Sequence, residues 1–471
     1  MGADVSIVGC GPVGALLGNL LGQAGLAVEI FDRDRDIHPL PRAVHFDGEV
    51  MRIFQAAGLA DRLAATARPS SKGMTFVNAE GRTLMVRRGI EGPGPHGWAG
   101  NWYFHQPLLE KVLRDGLKRH ANVRLHLASA VDSVADLDAR YVVGCDGARS
   151  LVRQAIGSAP VDLGLHQPWL VVDLLCDPDS PRVQALPDHT VQFCDPARPM
   201  TVVKVGGARR RWEIMLMPGD DPETMARPEV FWPMMARWLQ PGDATLERSA
   251  VYTFHSLVQE GWRKGRLLLA GDSCHQTPPF LGQGMCAGMR DAANLAWKLA
   301  AIVNDGAPDA LLDTYESERR PHVAAFIELA VRLGAVLQET DPVAAAERDR
   351  RFEAGAQSFD FPQPPLGPGV RLDGPPPVGT AFPQPQLSGG RLMDEAIGAR
   401  FAVVGDGALM RDLEIDAVRL PGVGLDWLGR HGARAAILRP DRYVFAVARD
   451  AAELAAAAAA LTRTLAPARP D

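Results

Sequence analysis

The chain has 471 residues, 46% of them hydrophobic and 23% charged, enough apolar material for a large core in roughly two to three domains. Its net charge of -6 is spread along the chain with no basic tract, which argues against wholesale nucleic-acid binding. Six scattered cysteines (Cys10, Cys145, Cys176, Cys194, Cys274 and Cys286), none in C-x-x-C spacing, signal neither a disulfide framework nor a zinc ribbon nor a redox dithiol.

A compact β-α-β unit opens the chain: a strand over 4–8, a glycine turn over 9–14, a helix over 15–24 and a strand over 28–31. No basic leader precedes that strand and no apolar run could span a membrane, so a reducing, cytoplasmic setting without a membrane partner is expected. A helix over 106–120, opened by Pro107, leads into a strand over 123–127. Residues 140–147 read as a buried strand ending at an acidic turn.

From about 165 to 260 the texture turns β-rich, with runs at 169–175, 189–193, 200–205 and 212–217 between turn signals such as Asp195-Pro196 and Gly206-Gly207. This predicts a separate antiparallel sheet. Arg209, Arg210 and Arg211 read most simply as a solvated hairpin end, although Arg211 could approach a ligand. Helical α/β character returns over 266–335. A Pro/Gly-rich stretch over 357–390 reads as a linker or extended wrap rather than a packed element, and 391–471 as a small α/β appendage.

Gly9-Cys10-Gly11-Pro12-Val13-Gly14 is a G-x-G-x-x-G that follows a strand and opens a helix. Glycines allow the tight turn and let backbone approach a pyrophosphate on the helix N-terminus, and Asp32 is placed to bind an adenosine ribose. A second block ends an apolar strand at Gly271-Asp272 and continues through His275, Pro278-Pro279 and Gly282-Gln283-Gly284-Met285. The helix that follows is apolar at Met289, Ala292, Ala296, Leu299 and Val303. Its glycine turn would suit an anion, including a reduced isoalloxazine. Taken alone, Gly-Asp after a strand is as readily a bland turn.

Together with Cys145-Asp146-Gly147-Ala148-Arg149-Ser150, these signatures resemble the group A flavoprotein monooxygenases of the para-hydroxybenzoate hydroxylase fold, over about residues 4–340. Pro41-Arg42-Ala43, Phe193-Cys194-Asp195-Pro196, Met217-Pro218-Gly219 and Arg290-Asp291-Ala292 resemble the 3-(3-hydroxyphenyl)propionate hydroxylase branch. The resemblance implies an α/β chain: a Rossmann-like FAD-binding domain over 1–72, 106–160 and 263–340, with an inserted antiparallel-sheet substrate domain over 73–105 and 161–262. A linker over 341–390 and a small C-terminal thioredoxin-like domain over 391–471 complete it.

It also implies roles. Gly9, Gly11 and Gly14 would hold the pyrophosphate of non-covalent FAD and Asp32 the ribose. Arg42 and Gln106 would meet the phosphate-ribityl region. Asp146 would serve FAD and nicotinamide binding, and Asp272 would bind the ribityl chain. Gly284 and the backbone of Met285 and Cys286 would face the flavin pyrimidine, and Pro279 would lie near ring and substrate. Cys286 departs from the family's frequent Asn, and residues 131–140 are shorter than the family's usual strand-rich excursion.

The implied reaction is hydroxylation of a small phenolic substrate with dioxygen through a C4a-hydroperoxyflavin. With only one dinucleotide fingerprint present, NADPH or NADH would visit transiently. His45 is the candidate base, against a packed histidine. Tyr252 and His255 follow as further catalytic candidates, on opposite faces of one strand, so at most one points inward. His275 reads as a satisfied histidine. Other readings are epoxidation or Baeyer–Villiger oxidation of a polyketide-like substrate, and a non-catalytic FAD-fold binding protein. A homodimer is left open.

Overall fold

The computed structural model describes residues 2–467. Its first sheet has six strands in the order Arg263–Lys264, Leu267–Leu269, Ala139–Gly144, Ala3–Val8, Val28–Phe31 and Val123–His126. The five strands from Leu267–Leu269 onward run parallel. Val5, Ile7, Val142, Val143, Leu268 and Leu269 are buried, as expected where helices cover both faces of a parallel sheet. Helices Pro12–Gln23, Gln106–Leu117 and Gly284–Asn304 pack around it. Only a 3-10 turn, Val134–Asp136, fills the shortened segment before the acidic turn.

The second sheet has nine strands: His275–Gln276, Ala244–Glu260, Ala159–Cys176, Arg209–Met215, Met200–Lys204, Thr190–Cys194, Met74–Asn78, Thr83–Arg87 and Gln357–Phe359. It is antiparallel except where Thr190–Cys194 meets Met74–Asn78 and where Gln357–Phe359 meets Thr83–Arg87, so it is mixed rather than purely antiparallel. Leu170, Val172, Leu174, Trp212 and Ile214 form one face and pack on Phe231 and Met235. The opposite face, one residue out of phase, carries Asp173, Arg211, Glu213, Arg248 and Tyr252.

Arg210 and Arg211 correct the reading of a solvated hairpin end. The strand begins at Arg209, and both side chains are buried within it. A small three-stranded sheet, His45–Asp47 and Arg68–Ser70 flanking Asn101–Tyr103, sits beside the second sheet and is tied to it by the hydrogen bond between Tyr103 and Thr190.

The Pro/Gly-rich stretch wraps the molecule and is packed: Leu366, Val370, Val378 and Phe382 are buried. Beyond it lies a four-stranded sheet in the order Val418–Pro421, Ala402–Gly405, Ala435–Leu438 and Val444–Ala448, covered by helix Ala451–Leu465. Its Val403, Ile437 and Phe445 share one apolar cluster with Leu299 and Ile302. Buried ion pairs dock it: Asp394 takes the Arg52 guanidinium at 2.6 and 2.8 Å and Arg442 at 3.1 Å, and Arg439 meets Glu318 at 2.9 Å.

Removing one member of a buried ion cluster strands the rest, typically at about 3–5 kcal/mol. Asp394→Ala is therefore expected to lower stability to chemical denaturant by about that amount. Asp406→Ala, which loses a pair with Arg434 near the surface and a cap on the Ala408 N–H, should cost only about 1 kcal/mol, well below the effect of Asp394→Ala.

Candidate active site

The carboxyl ends of the inner parallel strands converge on one crevice, the usual ligand position in such sheets. After the first strand the chain turns at Gly9 with a φ of 100°, where a Cβ would lie 2.5 Å from the Cys145 carbonyl. At Gly14 a Cβ would stand 2.0 Å from the Gly9 carbonyl, so close packing requires this glycine. Gly11 has nothing within 4 Å on its Cβ side, so that flank of the turn is open. Helix Pro12–Gln23 starts there without a side-chain cap, which leaves N–H groups and the positive dipole end for an anion.

Asp32 ends the second strand. Its carboxylate accepts from the N–H groups of Cys10 at 2.8 Å and Asp34 at 2.9 Å, and faces Arg114 at 3.4 Å. Asp146 accepts from the Leu151 N–H at 2.7 Å through Oδ2, while its Oδ1 is buried without a hydrogen-bond partner.

The Gly271-Asp272 turn is fixed from behind by Asp291, which accepts from the Gly271 N–H at 3.2 Å and the His275 Nε2–H at 2.7 Å and pairs with Arg319 at 2.9 Å. His275 is thus a buried anchor. Asp272 is reached by solvent but ringed by protein. Lost hydration raises its carboxyl above the usual range, against the opposing pull of His275 and Arg42.

Gln106 acts on the Arg42 loop from below. Its side-chain oxygen accepts from the N–H groups of Arg42 at 2.8 Å and Ala43 at 2.7 Å, and its nitrogen donates to Glu110 at 2.7 Å. Its amide is therefore committed to the loop, and the exposed Arg42 side chain is the group left to meet a ligand. From above, Arg211 donates to the carbonyls of Pro41 at 2.6 Å and Arg42 at 2.7 Å, and Arg248 to Pro41 at 2.8 Å. Asp173 neutralises both, pairing with Arg211 at 2.8 Å and with Arg248. Neither Arg248 nor Asp173 stood out in the sequence. The alternation that puts them on one face of long strands is the signal that could have found them.

The segment then enters His45–Asp47. His45 is buried, and its Nε2 lies 3.1 Å from Asn101 Oδ1, which also accepts from Arg87 Nη2 at 2.9 Å. A guanidinium only donates, so the Asn101 atom between them is the carbonyl oxygen and His45 Nε2 carries the proton. Nδ1 is then the acceptor nitrogen, without an aligned hydrogen-bond donor, and the nearby Gly282 backbone favours a proton on it. It faces Gly282, whose φ of 65° follows the Pro279–Leu281 turn and where a Cβ would sit 3.1 Å away. Burial, aided by the Arg87 charge, lowers the His45 pKa to about 4.

Gly284, Met285 and Cys286 form the first turn of Gly284–Asn304, again without a side-chain cap. Burial raises the Cys286 thiol far from ionisation, so this residue offers its backbone. Tyr252 lies on the strand face toward the crevice and accepts from Arg248 at 3.2 Å. His255 is on the other face, half-buried, 2.6 Å from His166, which meets Asp162 at 2.6 Å. The structure brings His45 against Gly282 at the end of the turn that Pro279 opens, links Tyr252 through Arg248 to the Arg42 loop, and sets His255 apart.

Residues 2–330 match the protein family described as FAD binding domain. The chain belongs to this family. It is a flavoprotein monooxygenase, 37% identical to a probable NADH-specific resorcinol 4-hydroxylase of Rhodococcus jostii over 98% of this chain and 95% of that protein. It is 33% identical to a 3-(3-hydroxy-phenyl)propionate/3-hydroxycinnamic acid hydroxylase of Burkholderia cenocepacia over 97% and 96% of the two chains. The crystal structure of aklavinone-11 hydroxylase with FAD and aklavinone shares the fold, with a TM-score of 0.78 at 21% identity over 98% of each chain. Among the described residues no helix is long and apolar enough to cross a membrane.

Two uncapped helix N-termini, an open Gly11 flank, the unpartnered Asp146 Oδ1 and the solvent-reached Asp272 fit FAD. Gly11→Ala adds a methyl into open space and should leave the melting temperature of the FAD-free protein unchanged while weakening FAD retention. Gly14→Ala should lower both, because its methyl meets the Gly9 carbonyl. Released FAD fluorescence and thermal unfolding of the apoprotein read the two effects separately.

Proposed function

We propose that this protein hydroxylates a phenol carrying a second substituent meta to its hydroxyl, ortho to that hydroxyl, using reduced nicotinamide and dioxygen. The observation that carries the reading is the bare Nδ1 of His45, a hydrogen-bond acceptor held against the Gly282 turn. Sequence support comes from the two relatives, whose names specify resorcinol and 3-(3-hydroxyphenyl)propionate, both meta-substituted phenols.

Bound at this site, FAD supplies reduction by the nicotinamide and transfer of an oxygen atom. Gly9, Gly11 and Gly14 would hold its pyrophosphate, Asp32 its ribose, and Arg42 and Asp272 its phosphate-ribityl region. Asp146 would lie beside it, and Gly284, Met285 and Cys286 would offer backbone N–H groups to the ring. Pro279 would border the substrate, whose hydroxyl donates to His45 Nδ1 and is thereby aimed. The polar face of the nine-stranded sheet, with Tyr252 and Glu213, would roof the pocket and exclude water.

For the other end of the chain, the strand order supports a thioredoxin-like unit. Two parallel strands are joined through a 3-10 turn and followed by two antiparallel ones. With no cysteine after Cys286 it would be structural.

His45 cannot act as a strong base. A phenol titrates near pH 10, far above His45, whose pKa burial and the Arg87 charge lower to about 4. Its task is to accept a hydrogen bond and orient the ring.

Purified FAD-loaded protein should consume NADH faster with meta-substituted phenols than with their methyl ethers and return ortho-hydroxylated product; equal rates with both would sink the proposal. His45→Ala should keep FAD but divert most of the consumed NADH to hydrogen peroxide. Because His45 is neutral above about pH 4, hydroxylation should show no His45-dependent limb near the ordinary histidine value of about 6.5. A limb there that vanishes in His45→Ala would contradict this.

A further inference from the structure

Three arginines stand among the largest fully buried side chains: Arg87, Arg319 and Arg439. Arg319 pairs with Asp291 and Arg439 with Glu318, each at 2.9 Å. Arg87 has no carboxylate partner among the described residues. Its Nη2 donates to Asn101, and its Nε and Nη1 have no hydrogen-bond partner. The guanidinium lies over the Phe361 ring, 4.9 Å from the centroid, which gives it an apolar wall but no counter-charge.

The charged and titratable groups around Arg87 come from three elements, and none supplies a free anion. Asp47, on the same strand as His45, is committed to Arg290 at 2.6 Å and to the Val50 N–H at 3.0 Å. Tyr103, opposite His45, has its hydroxyl 2.9 Å from Thr190. Cys286, at the helix start, is held neutral by burial. A cation buried without an opposite charge is costly to the fold. A fold that carries one, beside a histidine whose acceptor nitrogen is also free, is arranged for an anion that arrives with the substrate.

We propose that Arg87 is an anion-binding residue of the substrate pocket and that its ligand is the oxygen of the bound phenol as that oxygen becomes phenolate. The proposal rests on the reading of the site as a phenol hydroxylase. One Asn101 oxygen accepts from both Arg87 and the His45 Nε2–H, which places the cation two hydrogen bonds from the ring whose other nitrogen is the acceptor. In the step itself the phenol O–H bond breaks, the proton is released to solvent, and the electron pair left on oxygen faces Arg87. The phenolate neutralises the Arg87 charge, so the pocket falls from one positive charge to none. His45 stays neutral and aims the hydroxyl by accepting its hydrogen bond before the proton leaves. The ring so activated is the electron-rich partner that oxygen transfer requires.

The test is a spectroscopic titration of 3-nitrophenol bound to the FAD-loaded, oxidised protein, since it is meta-substituted and its phenolate is coloured. Wild type should lower the pKa of the bound phenol by about one unit or more, which is about tenfold or more in favour of phenolate. Arg87→Met should bind the neutral phenol and abolish the shift, with Arg87→Lys between the two. Because Arg87→Met removes an uncompensated buried charge, its melting temperature should equal or exceed that of wild type. An unchanged bound-phenol pKa in Arg87→Met overturns the proposal, and a lower melting temperature alongside it assigns Arg87 a structural role. Weakened benzoate binding with an unchanged phenol titration overturns it in favour of a carboxylate ligand. If wild type binds no phenol at all, the underlying functional reading falls with it. Phenol bound without a shift removes the Arg87 proposal alone.

Discussion

The placement of residues 41–49 is the constraint on which the rest of the site depends. The nine-stranded sheet grips this segment from one side through Arg211 and Arg248 on the Pro41 carbonyl. Gln106 holds its N–H groups from the other. Pairing with Asn101–Tyr103 sets the register of His45–Asp47. Arg290, on the helix whose first turn carries Met285 and Cys286, then binds both Asp47 at 2.6 Å and Glu49 at 2.7 Å. Four separate elements thus over-determine nine residues, which is what preorganising a hydrogen-bond acceptor such as His45 Nδ1 requires.

The same network explains why the C-terminal unit is not a detachable appendage. Tyr443 donates to Glu49 at 2.8 Å, so the carboxylate that holds Arg290 is itself held by the last sheet. Asp394 neutralises Arg52 on the helix that follows residue 47, and Lys298, Glu318 and Arg439 form a fully buried cluster across the boundary. Ion pairs of this kind cost desolvation and add little net stability, but removing one side leaves bare charges behind. They act as a registration device that carries the position of the C-terminal unit to the active-site segment.

How much of this was legible in the sequence follows from how local each signal is. The glycine fingerprint, the Val28–Phe31 strand and the Gly271-Asp272 turn were readable because backbone sterics dictate glycine at fixed spacing there. The long strands Ala159–Cys176 and Ala244–Glu260 were only half visible, since their exposed ends lack the apolar run of the middle. Arg87 and Asn101 carried no signal. A charged residue near the end of a short strand is ordinarily solvated, and only the tertiary fold reveals that this one is buried without a counter-ion. His45 was legible as a position, because it follows the Arg42 turn, but its depressed pKa arises from burial and from Arg87, 42 positions further along the chain. The Pro/Gly-rich wrap looked unpacked because its buried anchors are spaced irregularly, without helical or strand period.

The central claim is that this site inserts one oxygen atom from dioxygen into a phenol next to its hydroxyl. Turnover of the FAD-loaded protein with NADH and resorcinol under isotopically labelled dioxygen, with the product read by mass spectrometry and proton resonances, tests it most directly. One labelled oxygen on the carbon adjacent to a hydroxyl is the result expected. Label recovered only as hydrogen peroxide, for resorcinol and for every other meta-substituted phenol offered, would contradict it.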